Sequence, residues 1–484
     1  GGNSGGDVSG GSGCGFVKDI NGKGQGAKGE GVALMILLII ILAGIALRRI
    51  IAELKMRRAF SALIKGLCFF VVMVLLAQAA ACGGGNGSGS SDSSNSSSGG
   101  SGGDAGAPDS CQGLPWRLVL GTSGPDTSWT VATAKNGDVL FAATEGQSLA
   151  TDIVLRRLST DGKVLWEGRW DSGLSDEAFV VTEASDGVIW IGGMRRTGNV
   201  LDLNTTAVLL RFDGATGAVI GNAWTWDSGG WDEIDGVAVD SGTVFVSGWA
   251  QGQSGSQELR VYALNAANLS VIWQKSLDSN GLDAGNGHLV LWNDVVIVGG
   301  SWNSSGILAQ AQGIVAAFNR SDGSEKWRKY VGDGTDYREI LGLSSDGSRI
   351  FATGWRKVTL TDWQLMLWAF DSSGSLLWES EWGGSSNERA RALGYDPADN
   401  TLLVAGTTNR DSNDDIVLLR VDSTTGAVRE EKVWGGQSGD SAQQIAVAGN
   451  RLYVAGATRS WGNGNSDALA MGVCYRPWKL PSTN

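Results

Sequence analysis

The sequence predicts an all-β protein, a seven-bladed β-propeller with four antiparallel strands per blade and an N-terminal strand closing the last one. Three observations predict it. First, a cassette typified by VLWEGRWDSGLSDEAFVVTEASDGVIWIG, Val164 to Gly192, recurs roughly every fifty residues, within the range of blade-length repeats. Second, every copy is built of short runs of strand-forming residues punctuated by turns such as Asp186-Gly187, Asp346-Gly347 and Gly449-Asn450, and no helical period is sustained. Third, the copies are out of phase with the chain. A fourth-strand sequence, Trp116–Gly121, precedes any first strand, and the last copy stops after its third strand, Leu469–Cys474. Four-stranded units that cannot bury both faces alone must stack, and radial stacking closes into a ring.

The chain has 484 residues and a net charge of −12, and all 21 Trp lie from Trp116 onward. Residues 1–82 carry nine basic and four acidic side chains, so the rest carries −17. Such a body repels phosphate backbones, and nucleic acid is not an expected partner. The single His, His288, excludes any site needing two imidazoles and reads as a packed or pore-facing residue.

Residues 1–55 hold a Gly-rich stretch and an apolar segment, Gly31 to Leu47, followed at once by Arg48-Arg49. Gly-Ser-Gly-Cys-Gly, apolar segment and basic pair together resemble the C-terminal sorting tails of bacterial surface proteins. The favoured reading makes 1–55 the translated end of a neighbouring gene, with the natural start at Met56. A membrane helix is the other. Residues 56–82 have a basic start (Arg57, Arg58, Lys65), an apolar run from Gly66 to Leu76, and Ala-Gln-Ala-Ala-Ala before Cys82. This resembles a bacterial lipoprotein signal, which implies lipidation of Cys82 and a membrane partner through that anchor. Ala79 stands where such signals prefer Leu, so cleavage after Ala81 to give a soluble exported product stays open. Residues 83–110, nearly all Gly, Ser, Asn and Asp, read as a flexible tether. The propeller is expected over 111–480, with 481–484 a tail.

Within 111–480 the fourth-strand column reads Trp116, Trp166, Asn222, Trp273, Trp327, Trp378 and Glu430. In the second copy strands one to three fall at Phe179–Glu183, Val188–Gly192 and Ala207–Phe212. In the last they fall at Ile445–Ala448, Leu452–Gly456 and Leu469–Cys474. Because the N-terminal strand must complete the last blade, Cys111 and Cys474 come together across one connection, and a disulfide there is expected. The Trp column and the Trp residues four positions later (Trp170, Trp226, Trp382, Trp434) should pack between blades.

The copies WGGSSNERARALGYDPADNTLLVAGTT and WGGQSGDSAQQIAVAGNRLYVAGAT, each with an Asp (Asp415, Asp467) before strand three, resemble the seven-bladed propeller repeats of exported bacterial proteins. FNRSDGSEKW and FDSSGSLLW are more weakly similar to quinoprotein blades, in which a similar Trp docks neighbouring blades. The resemblance implies a propeller that serves more often as a binding or scaffold module than as an enzyme. The quinoprotein cofactor and calcium ligands have no match here, and no cofactor is expected.

Ten positions after the Trp column stands an acid, with the fifth copy offset by one: Asp126, Asp176, Asp232, Asp283, Asp336, Glu388 and Asp440. These acids could ring the channel mouth and hold a cation, or each could cap its own turn. Their presence in every blade favours capping, because a binding site usually breaks the symmetry of its ring. The loops joining strands two and three share that face and carry Arg195, Arg196, Trp249, Trp302, Trp355, Arg410 and Trp461, which could stack sugars or hold a peptide. Trp249 and Trp355 could equally wedge between blades. The expectation is a non-enzymatic, monomeric, envelope-anchored propeller binding protein or glycan, periplasmic or extracellular. The alternative is a lyase or hydrolase using paired carboxylates such as Asp232 and Asp283. No metal site is expected.

Overall fold

The computed structural model describes residues 111–483 apart from the short segments 148–149, 198–203, 252–255, 286–287, 305–309, 360–361, 385 and 411–412. The expectations for residues 1–110, including lipidation of Cys82, lie outside the described residues. Those described contain no helix.

Seven sets of four antiparallel strands follow one another along the described chain. The third is typical, with Asp232–Asp240 innermost, then Thr243–Gln251, Gln257–Asn265 and Val271–Leu277 outermost. The seventh takes Asp440–Ala448, Arg451–Thr458 and Asp467–Tyr475 from the end of the chain and its outer strand, Trp116–Leu120, from the beginning. Trp116 pairs with Gly472 and Leu120 with Ala468. The Cys111–Cys474 disulfide spans 363 residues of sequence and fastens the same blade.

Seven buried apolar clusters hold the described part together, and each spans one pair of adjacent blades. The closing one sets Val131, Phe141 and Leu158 of the first blade against Tyr453, Ala455 and Ala470 of the seventh. The third strand of one blade also makes a parallel bridge to the start of the next blade's inner strand. It occurs at Pro125/Ser466, Ala311/Tyr337 and Trp363/Asn387, and at Gln257/Leu282 it joins blades three and four into one sheet.

The outer-strand Trp residues dock on the next blade. A Cβ added to Gly162, Gly217, Gly323, Gly374 or Gly426 would fall 2.6–2.7 Å from the ring of Trp116, Trp166, Trp273, Trp327 or Trp378 respectively. Those glycines, in the turns between third and outer strands, have φ of +67° to +84°, which glycine alone adopts without strain. The sequence column is therefore a series of blade-to-blade locks, with two corrections. The second blade's outer strand is Trp224–Trp226, and Asn222 lies exposed outside it. There Ile220 N–H bonds back to Arg211 O and Gly221 takes a positive φ, which delays the strand. The inner strands also begin earlier than the alternation predicts, at Asp176 rather than Phe179 and at Asp440 rather than Ile445. The cause is a bulge that reverses the alternation part-way along.

Candidate functional site in the central channel

That bulge recurs where the inner strand passes the channel. The register skips Phe179, Asp235, Leu341, Arg391 and Gln443, leaving one unpaired residue in each of five blades. Gly248 shows what accommodates it. A Cβ there would sit 2.0 Å from the carbonyl oxygen of Glu233, and Gly193, Gly354, Gly406 and Gly456 face the equivalent carbonyl at 1.8–2.1 Å. A bulge re-aims side chains, and here the extra residue and the one two positions before it both turn to the axis, while the residue between them (Ile234, Ile340 or Ala390) packs between blades. Contacts between blades that are not neighbours show this, since such contacts can be made only across the centre. Arg391 of blade six lies over the ring of Trp129 of blade one at 5.2 Å and interacts electrostatically with Asp235 of blade three. Asp235 in turn feels Glu339 of blade five.

The channel layer thus holds Glu177, Glu233, Asp235 and Glu339 on one side of the charge balance and Arg389 and Arg391 on the other. Glu233 accepts hydrogen bonds from Trp231 Nε1 (3.1 Å) and from Trp249 Nε1. Burial, opposed by those donors, pushes its pKa up to about 7, and Glu177 and Asp232 add to the rise. Burial, then the charges of Glu233 and Glu339, lift Asp235 well above the ordinary carboxylate range, with Arg391 opposing. Glu177 is raised by burial as well. Asp235 is 9% exposed, and its Oδ2 has no hydrogen-bond partner among the described residues.

Further along the axis the channel narrows on a polar bridge. His288 Nε2 and Gln444 Nε2, from blades four and seven, are 3.0 Å apart, and His288 N–H donates to Leu341 O at 3.1 Å. Burial and the nearby Arg391 charge push the His288 pKa down to about 4, so the ring is neutral at neutral pH. Beyond it, a cavity of about 350 Å³ is ringed by one aliphatic residue per blade: Val131, Val181, Val237, Leu289, Leu343, Leu393 and Ile445.

The repeated acids lie elsewhere. Asp126, Asp176, Asp232, Asp283, Glu388 and Asp440 are buried and turned onto their own loops. Asp176 accepts from Ser172 N–H at 2.8 Å, Asp232 from Ser228 N–H at 2.7 Å, and Asp283 from Ser279 N–H and Asn303 N–H, both at 2.6 Å. Asp126 takes Thr122 N–H and Gly146 N–H, Glu388 takes Gly384 N–H, and Asp440 takes Gly436 N–H. Asp336 departs, pairing with Arg338 at 3.1 Å.

The loop residues are also engaged. Trp249 is buried and stacked on Trp231, and Trp355 is buried between Tyr337 (4.9 Å) and Trp363 (4.4 Å), so neither offers a free face. Arg389 lies over Trp363 at 3.9 Å. Trp302 packs with Tyr330 and under Arg328, and Trp461 with Trp434 and under Arg117. Arg410 covers Trp382 and pairs with Glu431 at 2.6 Å. Arg195 and Arg196 are half-buried at the end of their strand, and Arg196 sits near Glu177. Sequence reading missed Glu177, Glu233, Asp235, Glu339, Arg389 and Arg391. The available signal was that most stand one and three residues after the repeated acid, where the blades differ most.

No protein-family model matches the chain, and no curated protein matches it. Among solved structures it is similar to the WD40 β-propeller domain of Doa1, at 10% identity and a TM-score of 0.45 over 73% of this chain and 95% of that one. It is also similar to the hydrazine synthase of Kuenenia stuttgartiensis (10%, TM-score 0.47, 72% and 96%). A third is the quinohemoprotein alcohol dehydrogenase of Comamonas testosteroni (11%, TM-score 0.43, 77% and 78%).

Proposed function

We propose that the protein is an envelope-anchored binding module, tethered through a lipidated Cys82 and the 83–110 linker, whose ligand enters the channel from the face bearing the loops between second and third strands. The observation that supports this is the channel layer. The caps, docking Trp residues and turn glycines repeat from blade to blade, whereas Glu233, Asp235, Glu339 and Arg391 break the repeat and interact electrostatically across the channel. A protein or glycan partner would engage the surrounding loops and present a group to that layer. Mass spectrometry of the mature N-terminus tests the anchor, with a diacylated or triacylated Cys82 as the expected result. Glycan and peptide arrays probed with the full-length protein and with Asp235→Asn test the rest. Ligands retained by the native protein and lost by the variant are expected.

The enzymatic reading keeps one specific support. Glu233 and Asp235 are neighbouring carboxylates with raised pKa values, a pattern that suits general acid chemistry. In that reading they replace Asp232 and Asp283, whose carboxylates are committed to their turns. Turnover of any array ligand, abolished in Glu233→Gln, would favour it.

A further inference from the structure

Two charged side chains face the channel from far sides of the ring without reaching each other. Asp235 belongs to blade three, is nine-tenths buried, and has an Oδ2 without a hydrogen-bond partner among the described residues. Arg391 belongs to blade six, and its guanidinium makes no ion pair or hydrogen bond among the described residues; its one aromatic contact is Trp129. They feel each other's charge without pairing, and Glu339 of blade five acts on Arg391 more strongly than Asp235 does. Asp235 is buried and Arg391 half-buried, so a ligand that fills the gap between them must answer both groups or leave one of them desolvated without a partner.

The filler must carry both signs. A simple metal ion would satisfy the acid and repel the guanidinium. Moreover, the one trio of carboxylates among the described residues with oxygens within 4.8 Å of one another is Asp152, Asp171 and Asp176, away from the channel. A simple anion would have the reverse fault. Acids outnumber guanidiniums in the layer, with Glu233 and Glu339 near Asp235 and Glu177 near Glu233, so the ligand should carry at least as much positive as negative charge. Arg389, on the same inner strand as Arg391, can share the ligand's anionic end.

We propose that the channel layer binds a small zwitterion of the α-amino-acid class, its ammonium group held by Asp235 with Glu233 and Glu339, and its carboxylate by Arg391. This rests on the channel being the ligand site. A bound ammonium would lower the raised pKa values of Glu233 and Asp235, so binding would release protons. Guanidinium suits the other end because its fork matches a carboxylate. The His288–Gln444 bridge forms the floor.

The test is calorimetric titration of the full-length protein with four probes: L-lysine, glycine, putrescine (no carboxylate) and glutarate (no ammonium). L-lysine should bind at one site, at least tenfold tighter than putrescine, with glutarate silent. Asp235→Asn should weaken lysine at least tenfold. Arg391→Gln should do the same while leaving putrescine unchanged or tighter. If Arg391→Gln fails to fold, Arg391→Lys keeps the charge without the fork and should weaken lysine less. Equal affinity for lysine and putrescine, with lysine insensitive to position 391, would overturn the zwitterion assignment. So would silence of the native protein towards all twenty amino acids. Array ligands lost in Asp235→Asn but not competed by amino acids would leave the channel reading standing and remove the zwitterion alone. If no array ligand depends on Asp235, both go.

Discussion

The indole Nε1–H of Trp116 donates to the carbonyl of Thr160 at 3.0 Å, tying the strand that closes the ring to the first blade's last turn. The bond recurs around the ring, from Trp273 to Arg320 O at 2.8 Å and from Trp378 to Ser423 O at 3.2 Å. Each joins an outer strand to the turn of the following blade. The ring is closed by the same contact that joins blade three to four and blade five to six.

These locks can be tested with one pair of glycines. Gly374 and Gly347 have φ of +74° and +86°, but a Cβ at 374 meets Trp327 at 2.7 Å and one at 347 meets nothing within 4 Å. Gly347→Ala should cost about 1 kcal/mol, the backbone penalty alone. Gly374→Ala should cost about 1–3 kcal/mol more, because the Trp must shift as well. Denaturant unfolding of both variants measures the difference.

Removing the disulfide in a Cys111→Ala, Cys474→Ala double variant should destabilise the ring by about 5 kcal/mol or somewhat more, the chain-entropy value for so long a loop. Because Trp116–Leu120 keeps its pairing with Asp467–Tyr475, the variant should still fold, with a lower unfolding midpoint. Circular dichroism melts of the variant beside the oxidised protein measure the drop.

Much of this was legible beforehand because the fold repeats. Seven copies average out local noise, so turn glycines, Trp docking and ring closure could be read from columns. The acids could be weighed the same way, and Asp176, Asp232 and Asp283 are indeed held by their own loops. The channel was not legible. A period-2 reading assumes an unbroken pleat, and the extra residue at Asp235 or Arg391 reverses the pattern there. Nor does sequence alone reveal that blades three and six face one another.

Asp283 should matter for stability and not for ligand. It accepts Ser279 N–H, Ser279 Oγ and Asn303 N–H, so Asp283→Ala leaves buried donors without an acceptor. The expected loss is about 2–4 kcal/mol. Any ligand that binds the native channel should bind the variant within about twofold at a temperature where both are folded. Parallel denaturant melts and titrations check this.

Glu233 predicts a pH dependence. Its folded pKa, about 7, lies above the ordinary carboxylate value, so its contribution is fully present below about pH 4 and is lost as pH rises through 7. Asp176, pushed up to about 6 mainly by burial, acts in the same direction. His288 opposes them, since its lowered pKa of about 4 costs stability as pH falls below about 6.5. Glu233→Gln removes one contribution and should flatten the decline between pH 5 and 8 by at least about 1 kcal/mol. Melting temperatures of both proteins across that range, with an unchanged slope in the variant, would remove Glu233 as the source.

The placement of Trp116–Leu120 also sets an order of events during synthesis. This strand leaves the ribosome before any other in the ring, yet its one sheet partner among the described residues, Asp467–Tyr475, is among the last made. At about 5–20 residues per second the wait is roughly 20–70 s, during which Trp116, Leu118 and Leu120 have only the first-blade half of their cluster, with Val131, Phe141 and Leu158, to pack against. Six blades can assemble in that interval, but the ring exists as an open arc until its final strand arrives. Whatever shields the nascent arc must protect both of its ends.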